Sequence, residues 1–144
     1  MHLNIKLLSP HAQLPSYAHL TDAAMDLYSA EEHIIPPRSR TLISTGIALQ
    51  WYGEDPSNYY LRIAPRSGLS VKGIDVGAGV IDFSYTGIIK VLLINNTDQD
   101  YQVHIGDRIA QGILTQINRF ITMTIVDDLE ETDRDQNGFG SSGI

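Results

Sequence analysis

The sequence predicts an all-β fold, a sandwich or barrel with one short helix. Three observations carry this reading. Helical periodicity is nearly absent, and short runs of alternating or continuous apolar residues take its place. Gly, Pro, Asp and Asn punctuate these runs at close intervals. The longest apolar run, Ile88-Ile89-Lys90-Val91-Leu92-Leu93-Ile94, has the composition of a strand buried on both faces.

In chain order, Ile5-Lys6-Leu7-Leu8 is a first strand, stopped by Ser9-Pro10. Residues 10–22 carry two prolines and several polar side chains and read as loop. Within Asp22–Ala30, Asp26 stands among small and apolar neighbours. A carboxylate so placed needs a partner, because burying it unpaired is costly. An Arg or a backbone N–H would satisfy it, and so would a metal or the metal's water. His33-Ile34-Ile35 runs to a strand edge at Pro36-Pro37. Residues 41–49 read as one strand broken by a bulge at Gly46. Residues 53–58 form a turn, and Tyr59-Tyr60-Leu61-Arg62-Ile63-Ala64 is a strand ended by Pro65.

Arg66–Gly73 is the one expected helix, with Ser67 as its N-cap and Gly73 as its stop. Its first turn offers free N–H groups to an anion, Gly68 permits close approach, and Arg66 stands beside them. An ordinary capped turn would look the same. Gly79–Asn95 reads as a hairpin whose turn holds Asp82 and Tyr85, bracketed by Gly79 and Gly87. An Asp in a turn also commonly caps its own backbone. Residues 96–100 turn the chain into a strand over 101–105. Gly106-Asp107-Arg108 turns it again into a strand over 109–114, and a last strand is expected over 119–126. Residues 127–135 then carry six acids and one Arg, and a Gly- and Ser-rich stretch with Phe139 follows. This division gives a β domain over 1–126 and a flexible arm over 127–144.

Composition narrows the chemistry. Apolar residues at 42% and charged ones at 19% suit a globular domain. The formal charge of −7 argues against a nucleic-acid surface. No stretch is long and apolar enough to cross a bilayer, and the N-terminus lacks a signal-peptide pattern. Without cysteine there is no disulfide framework, which permits a reducing compartment; the expected setting is intracellular, cytoplasm or nucleus, of a host cell if the chain is viral. The five His residues show no metal-site spacing, and neither a P-loop nor a serine-hydrolase elbow occurs.

Five segments in fixed order resemble the trimeric deoxyuridine triphosphatase (dUTPase) family. They are Ala23–Ala30, Ala64–Gly73, Gly79–Asp82 with Tyr85 and Gly87, Gly106–Gln111, and Arg134 with Gly138–Gly143. The resemblance implies a jelly-roll-like β fold, a homotrimer, and Mg²⁺-dependent hydrolysis of dUTP to dUMP and pyrophosphate. It implies active sites shared between chains, each covered by another chain's C-terminal arm. Asp82 would be the general base, and Tyr85 would pack on the deoxyribose. The backbone around Gly79 and Val80 would read the uracil edge. Asp26 would hold Mg²⁺ through water. Arg66, Ser67, Gly68 and Gln111 would bind phosphate. Arg134 would meet the terminal phosphate, Phe139 would stack on the base, and Gly140, Ser141 and Ser142 would complete the cradle.

The chain departs from the family pattern at several places. Ala24 replaces a Gly. Ser84, Thr86 and Ile88 replace an acid, an Arg and a Glu of an Asp-x-Asp-Tyr-Arg-Gly-Glu pattern. Asp135 and Ser142 stand for Gly and Thr. The related dCTP deaminases use a central glutamate, and no Glu occurs between residues 55 and 129. A non-catalytic dUTPase-like module for signalling or interaction is the alternative reading. Retention of Asp82, Tyr85, Arg134 and Phe139 favours the enzyme.

Overall fold

The computed structural model describes residues 1–119 and 121–132. Its strands are β1 (His2–Leu7), β2 (Met25–Tyr28), β3 (His33–Ile35), β4 (Arg40–Ser44), β5 (Ile47–Tyr52), β6 (Tyr59–Ala64), β7 (Ile74–Gly77), β8 (Val80–Ile81), β9 (Lys90–Asn95), β10 (Tyr101–Val103) and β11 (Arg108–Gln116). A 3₁₀ turn covers Pro56–Asn58, and α1 covers Ser67–Ser70. The expected fold class is found: an all-β, jelly-roll-like structure with one short helix.

Two larger sheets carry the core. One has the order β2-β11-β6-β8, the other β4-β9-β7, and both are antiparallel. Two ribbons, β1-β5 and β10-β3, complete the strands. Period-2 alternation explains the packing. Leu61 and Ile63 of β6, Leu27 of β2 and Ile109 of β11 are buried together with Ile43 of β4 and Val91 and Leu93 of β9. Asn95 is the polar centre of this core. Its amide donates to Ile35 O, Pro36 O and Gln99 O and accepts from the Thr97 N–H, so a buried polar group costs nothing unpaid in hydrogen bonds.

Four local expectations are corrected. Residues 41–49 are not one bulged strand. Gly46 is a corner, with β4 pairing to β9 and β5 pairing to β1 in another sheet. Residues 79–95 are not a hairpin either: β8 pairs with β6, while β9 pairs with β4 and β7. β9 buries only one face completely, Leu92 and Ile94 on the other being half-exposed. The expected strand over 119–126 does not form among the described residues. Its alternation is strand-like, yet Ile121, Met123 and Ile125 are 64%, 87% and 100% exposed, and none of residues 121–126 joins a strand ladder.

Candidate active site

Strand register brings five of the expected residues to one place. Asp26 on β2 lies opposite Gln111 on β11, and Gln111 lies opposite Ala64 at the end of β6. The chain then leaves β6 through Pro65 into Arg66 and α1. Asp26, Arg66, Ser67, Gly68 and Gln111 thus line a single cleft of about 440 Å³, joined by Asp22 and Arg108. Gln111 Nε2 donates to Pro65 O at 2.7 Å, which ties β11 to the start of the helical turn.

Asp26 has found its partners. Its side chain is 14% exposed, and Oδ1 lies 3.1 Å from Arg66 Nε. Oδ2 accepts from Arg108 Nη1 at 3.3 Å. Arg66 Nη1 in turn donates to the Arg108 carbonyl at 3.0 Å, so the two guanidinium groups grip one carboxylate. Loop residue Ser16 adds a backbone tie, its carbonyl accepting from the Asp26 N–H at 2.8 Å.

The helix is shorter than the sequence suggested. Arg66, in extended conformation, occupies the N-cap position, and no side chain caps the turn. Ser67 is therefore the first helical residue, and its hydroxyl is not spent on the cap. Four residues sum to little macrodipole, so positive charge in the cleft comes from Arg66 and Arg108. No atom lies within 4 Å of where a Cβ on Gly68 would stand, so the chain's own packing does not demand a glycine there.

Arg108 and Asp22 were not singled out from the sequence. Arg108 and Gln111 are three apart, a spacing that puts side chains on opposite faces of a regular strand. A register shift between Arg108 and Ala110 lets both reach the cleft. Tyr101 lies within electrostatic range of this group. Burial pushes its phenol up from the ordinary value of 10.0, Asp107 adds to the rise, and Arg66 opposes it.

Asp82 and Tyr85 form a second group. Gly79 has a φ of +106°, and a Cβ there would collide with Ile63 O, whose residue donates its N–H to Gly79 O at 2.8 Å. This contact sets β8 against β6 at the sheet edge. Asp82 is exposed on the turn that follows, closed by Tyr85 N–H donating to Asp82 O at 3.0 Å. Phe83 points inward and packs on buried Trp51.

The two groups do not meet within the chain. β2 and β8 are opposite edges of a four-stranded sheet, about 14 Å apart at three strand spacings. β8 also runs antiparallel to β6, so Asp82 emerges away from the end of β6 that leads to Arg66. Arg134, Phe139, Gly140, Ser141 and Ser142, and most of the expected arm, lie outside the described residues.

A family model described as dUTPase matches residues 10–143. The chain belongs to the dUTPase family. Among curated relatives, the deoxyuridine 5'-triphosphate nucleotidohydrolase of Yarrowia lipolytica is 44% identical, covering 100% of this chain and 90% of that protein. The Variola virus dUTPase relative of the same description is 49% identical over 94% of this chain and 86% of its own. A solved mutant of the Staphylococcus bacteriophage 80alpha dUTPase with dUpNHpp superposes with a TM-score of 0.87 at 28% identity, covering 99% of both chains. A mutant dUTPase of phage phi11 of S. aureus, described with a structural Mg(II) ion, gives a TM-score of 0.79 at 26% identity, over 91% of this chain and 100% of that one.

The chemistry of the cleft fits a water-mediated Mg²⁺. No cluster of three or more metal-binding side chains exists among the described residues, so no all-protein cage is built. Mg²⁺ commonly keeps several waters and takes one carboxylate plus substrate phosphates. Asp26 is a carboxylate on the cleft wall, and both of its oxygens are already paired with arginines. No helix among the described residues is long and apolar enough to cross a membrane.

Proposed function

We propose that this enzyme, a dUTP nucleotidohydrolase, splits dUTP into dUMP and pyrophosphate by a water that Asp82 activates for in-line attack on the α-phosphorus. The water's oxygen forms the new bond to phosphorus, and its proton passes to the Asp82 carboxylate. The bond from the α-phosphorus to the bridging oxygen breaks, and that oxygen leaves with pyrophosphate. A positioned base of this kind contributes about 10²–10⁴-fold.

The observation that carries the reading is the cleft itself. Two arginines, an exposed Ser67 hydroxyl and an unhindered Gly68 backbone converge there, in a chain whose net charge is −7. A polyphosphate is the anion such a local concentration of donors suits. Mg²⁺, held through water by Asp26, would supply charge neutralisation to the phosphates. Tyr85 would pack on the deoxyribose and leave no room for a 2′-hydroxyl. β8 is a sheet edge, and its outward backbone groups would read uracil, rejecting cytosine by its reversed donors and acceptors.

Asp82 and the phosphate cleft occupy opposite corners of one sheet, which favours sites composed of two chains in a homotrimer. Arg134 of a further chain would meet the terminal phosphate, and Phe139 would cover the base. Gly140, Ser141 and Ser142 would close on the phosphates. The departures at Ser84 and Thr86 are exposed, and Ile88 is half-buried, positions open to contact with another chain.

The direct test is pyrophosphate release from dUTP, dCTP, dTTP and UTP, with Mg²⁺ and after chelation. Release from dUTP alone, lost on chelation and restored by Mg²⁺, is the expected result. No release from dUTP at saturating Mg²⁺ would overturn the reading and leave the non-catalytic module.

A further inference from the structure

Gly87 is a glycine that its backbone does not require. It is absent from the residues with positive φ, so conformation does not explain it. Space does. A Cβ on Gly87 would stand 2.6 Å from Tyr85 Oη, 2.7 Å from Cζ and 3.1 Å from Cε2. The Tyr85 ring therefore rests against the bare backbone of Gly87. One hydrogen bond fixes the ring there, Oη donating to Ile88 O at 3.0 Å, and the Tyr85 N–H holds the turn by donating to Asp82 O at 3.0 Å. Tyr85 remains 45% exposed, so the rest of the ring faces outward.

Two residues beyond Gly87 the backbone is pinned. Ile89 N–H donates to Ile47 O at 2.8 Å, its carbonyl accepts from the Thr45 N–H at 3.1 Å, and its side chain is fully buried. A methyl group at position 87 would displace the exposed ring instead, toward its open side. That movement breaks the bond to Ile88 O.

We propose that Gly87 is a positioning residue that seats the Tyr85 ring, and that this seat sets the preference for deoxyribose over ribose. The selectivity half rests on the reading that Tyr85 packs against the sugar. The seat itself rests only on the contacts above.

A double-mutant cycle with a structural readout tests both halves. Gly87→Ala should raise KM for dUTP about fivefold, the equivalent of the one Oη hydrogen bond that the displaced ring loses. In the same variant kcat should stay within about twofold, since Asp82 and the phosphate cleft are untouched. The ratio of kcat/KM for dUTP over UTP should fall by the same factor as KM rises. In a Tyr85→Ala background, where no ring remains to displace, Gly87→Ala should change KM by less than about twofold. An undiminished effect in that background, or no effect in the wild-type background, would overturn the proposal. A crystal structure of Gly87→Ala should show Oη out of hydrogen-bonding distance of Ile88 O, with the fold intact. A ring that keeps its place would disprove the seat whatever the kinetics. If Tyr85→Ala leaves the dUTP-to-UTP ratio unchanged, the deoxyribose reading fails, and the ring's position still decides the seat.

Discussion

Phe83 meets Trp51 edge-on, with ring centroids 5.7 Å apart and ring planes inclined at 61°. Trp51 is fully buried, and its Nε1 donates to Pro56 O at 2.8 Å. The residue beside Asp82 is thus plugged into the core, while Asp82 itself stands in solvent. This contact anchors in the core the turn that carries Asp82.

Phe83→Ala should accordingly cost about 2 kcal/mol of stability, less than a fully buried Phe because the side chain is only half-buried. The same variant should lose activity beyond what unfolding explains, because the Asp82 turn loses its anchor. Denaturant melts and kcat on folded protein measure the two effects separately. Full stability with full activity would show that the contact is incidental.

Asp26→Ala should leave Arg66 and Arg108 facing each other without a counter-charge. Removing one partner of a buried pair costs several kcal/mol, but Arg66 and Arg108 are 28% and 51% exposed, which lowers the expectation to about 1–2 kcal/mol. Added salt should recover part of this loss in the variant and little in the wild type. The variant should also need more Mg²⁺ for half-maximal turnover. Equal stability at low salt would remove the structural role of the grip.

The Tyr101 phenol gives a prediction in alkaline solution. Its folded value is raised above the unfolded 10.0, so its contribution is fully present below pH 10 and falls as pH rises from there through the folded value. The unfolded chain ionises first in that window and is favoured by it. Unfolding melts between pH 9 and 12 should therefore lose stability less steeply in Tyr101→Phe than in the wild type. Identical slopes would show that burial does not hold this phenol neutral.

The sequence made some of this legible for physical reasons. Strands such as β6 alternate cleanly, and the motif around Arg66, Ser67 and Gly68 sits where a strand ends at Pro65. Asp26 announced itself as a charge among small residues. Other features depended on tertiary pairing. β7, with Asp75 and Gly77 in four residues, has too little β-propensity to stand out until β9 pairs with it. β8 and β9 follow each other in sequence yet belong to different sheets, which local pattern cannot show. Arg108 reaches the cleft only through a bulge. Residues 121–126 have strand alternation but are not paired among the described residues, and pairing, not pattern, makes a strand.

Sites composed of two chains predict complementation. Asp82→Asn and Arg66→Ala should each be nearly inactive, and mixed trimers refolded from both should regain a substantial part of wild-type turnover. Light scattering should give a mass near three times 15.9 kDa for each protein. Mixtures no more active than their parents would place each complete site in one chain.

Single-turnover hydrolysis of dUTP by Asp82→Asn tests the central claim most directly, with nucleotide binding measured alongside. The expected result is a rate reduced by about 10²–10⁴-fold with affinity for dUTP retained. Hydrolysis at the wild-type rate would contradict the assignment of Asp82 as the base.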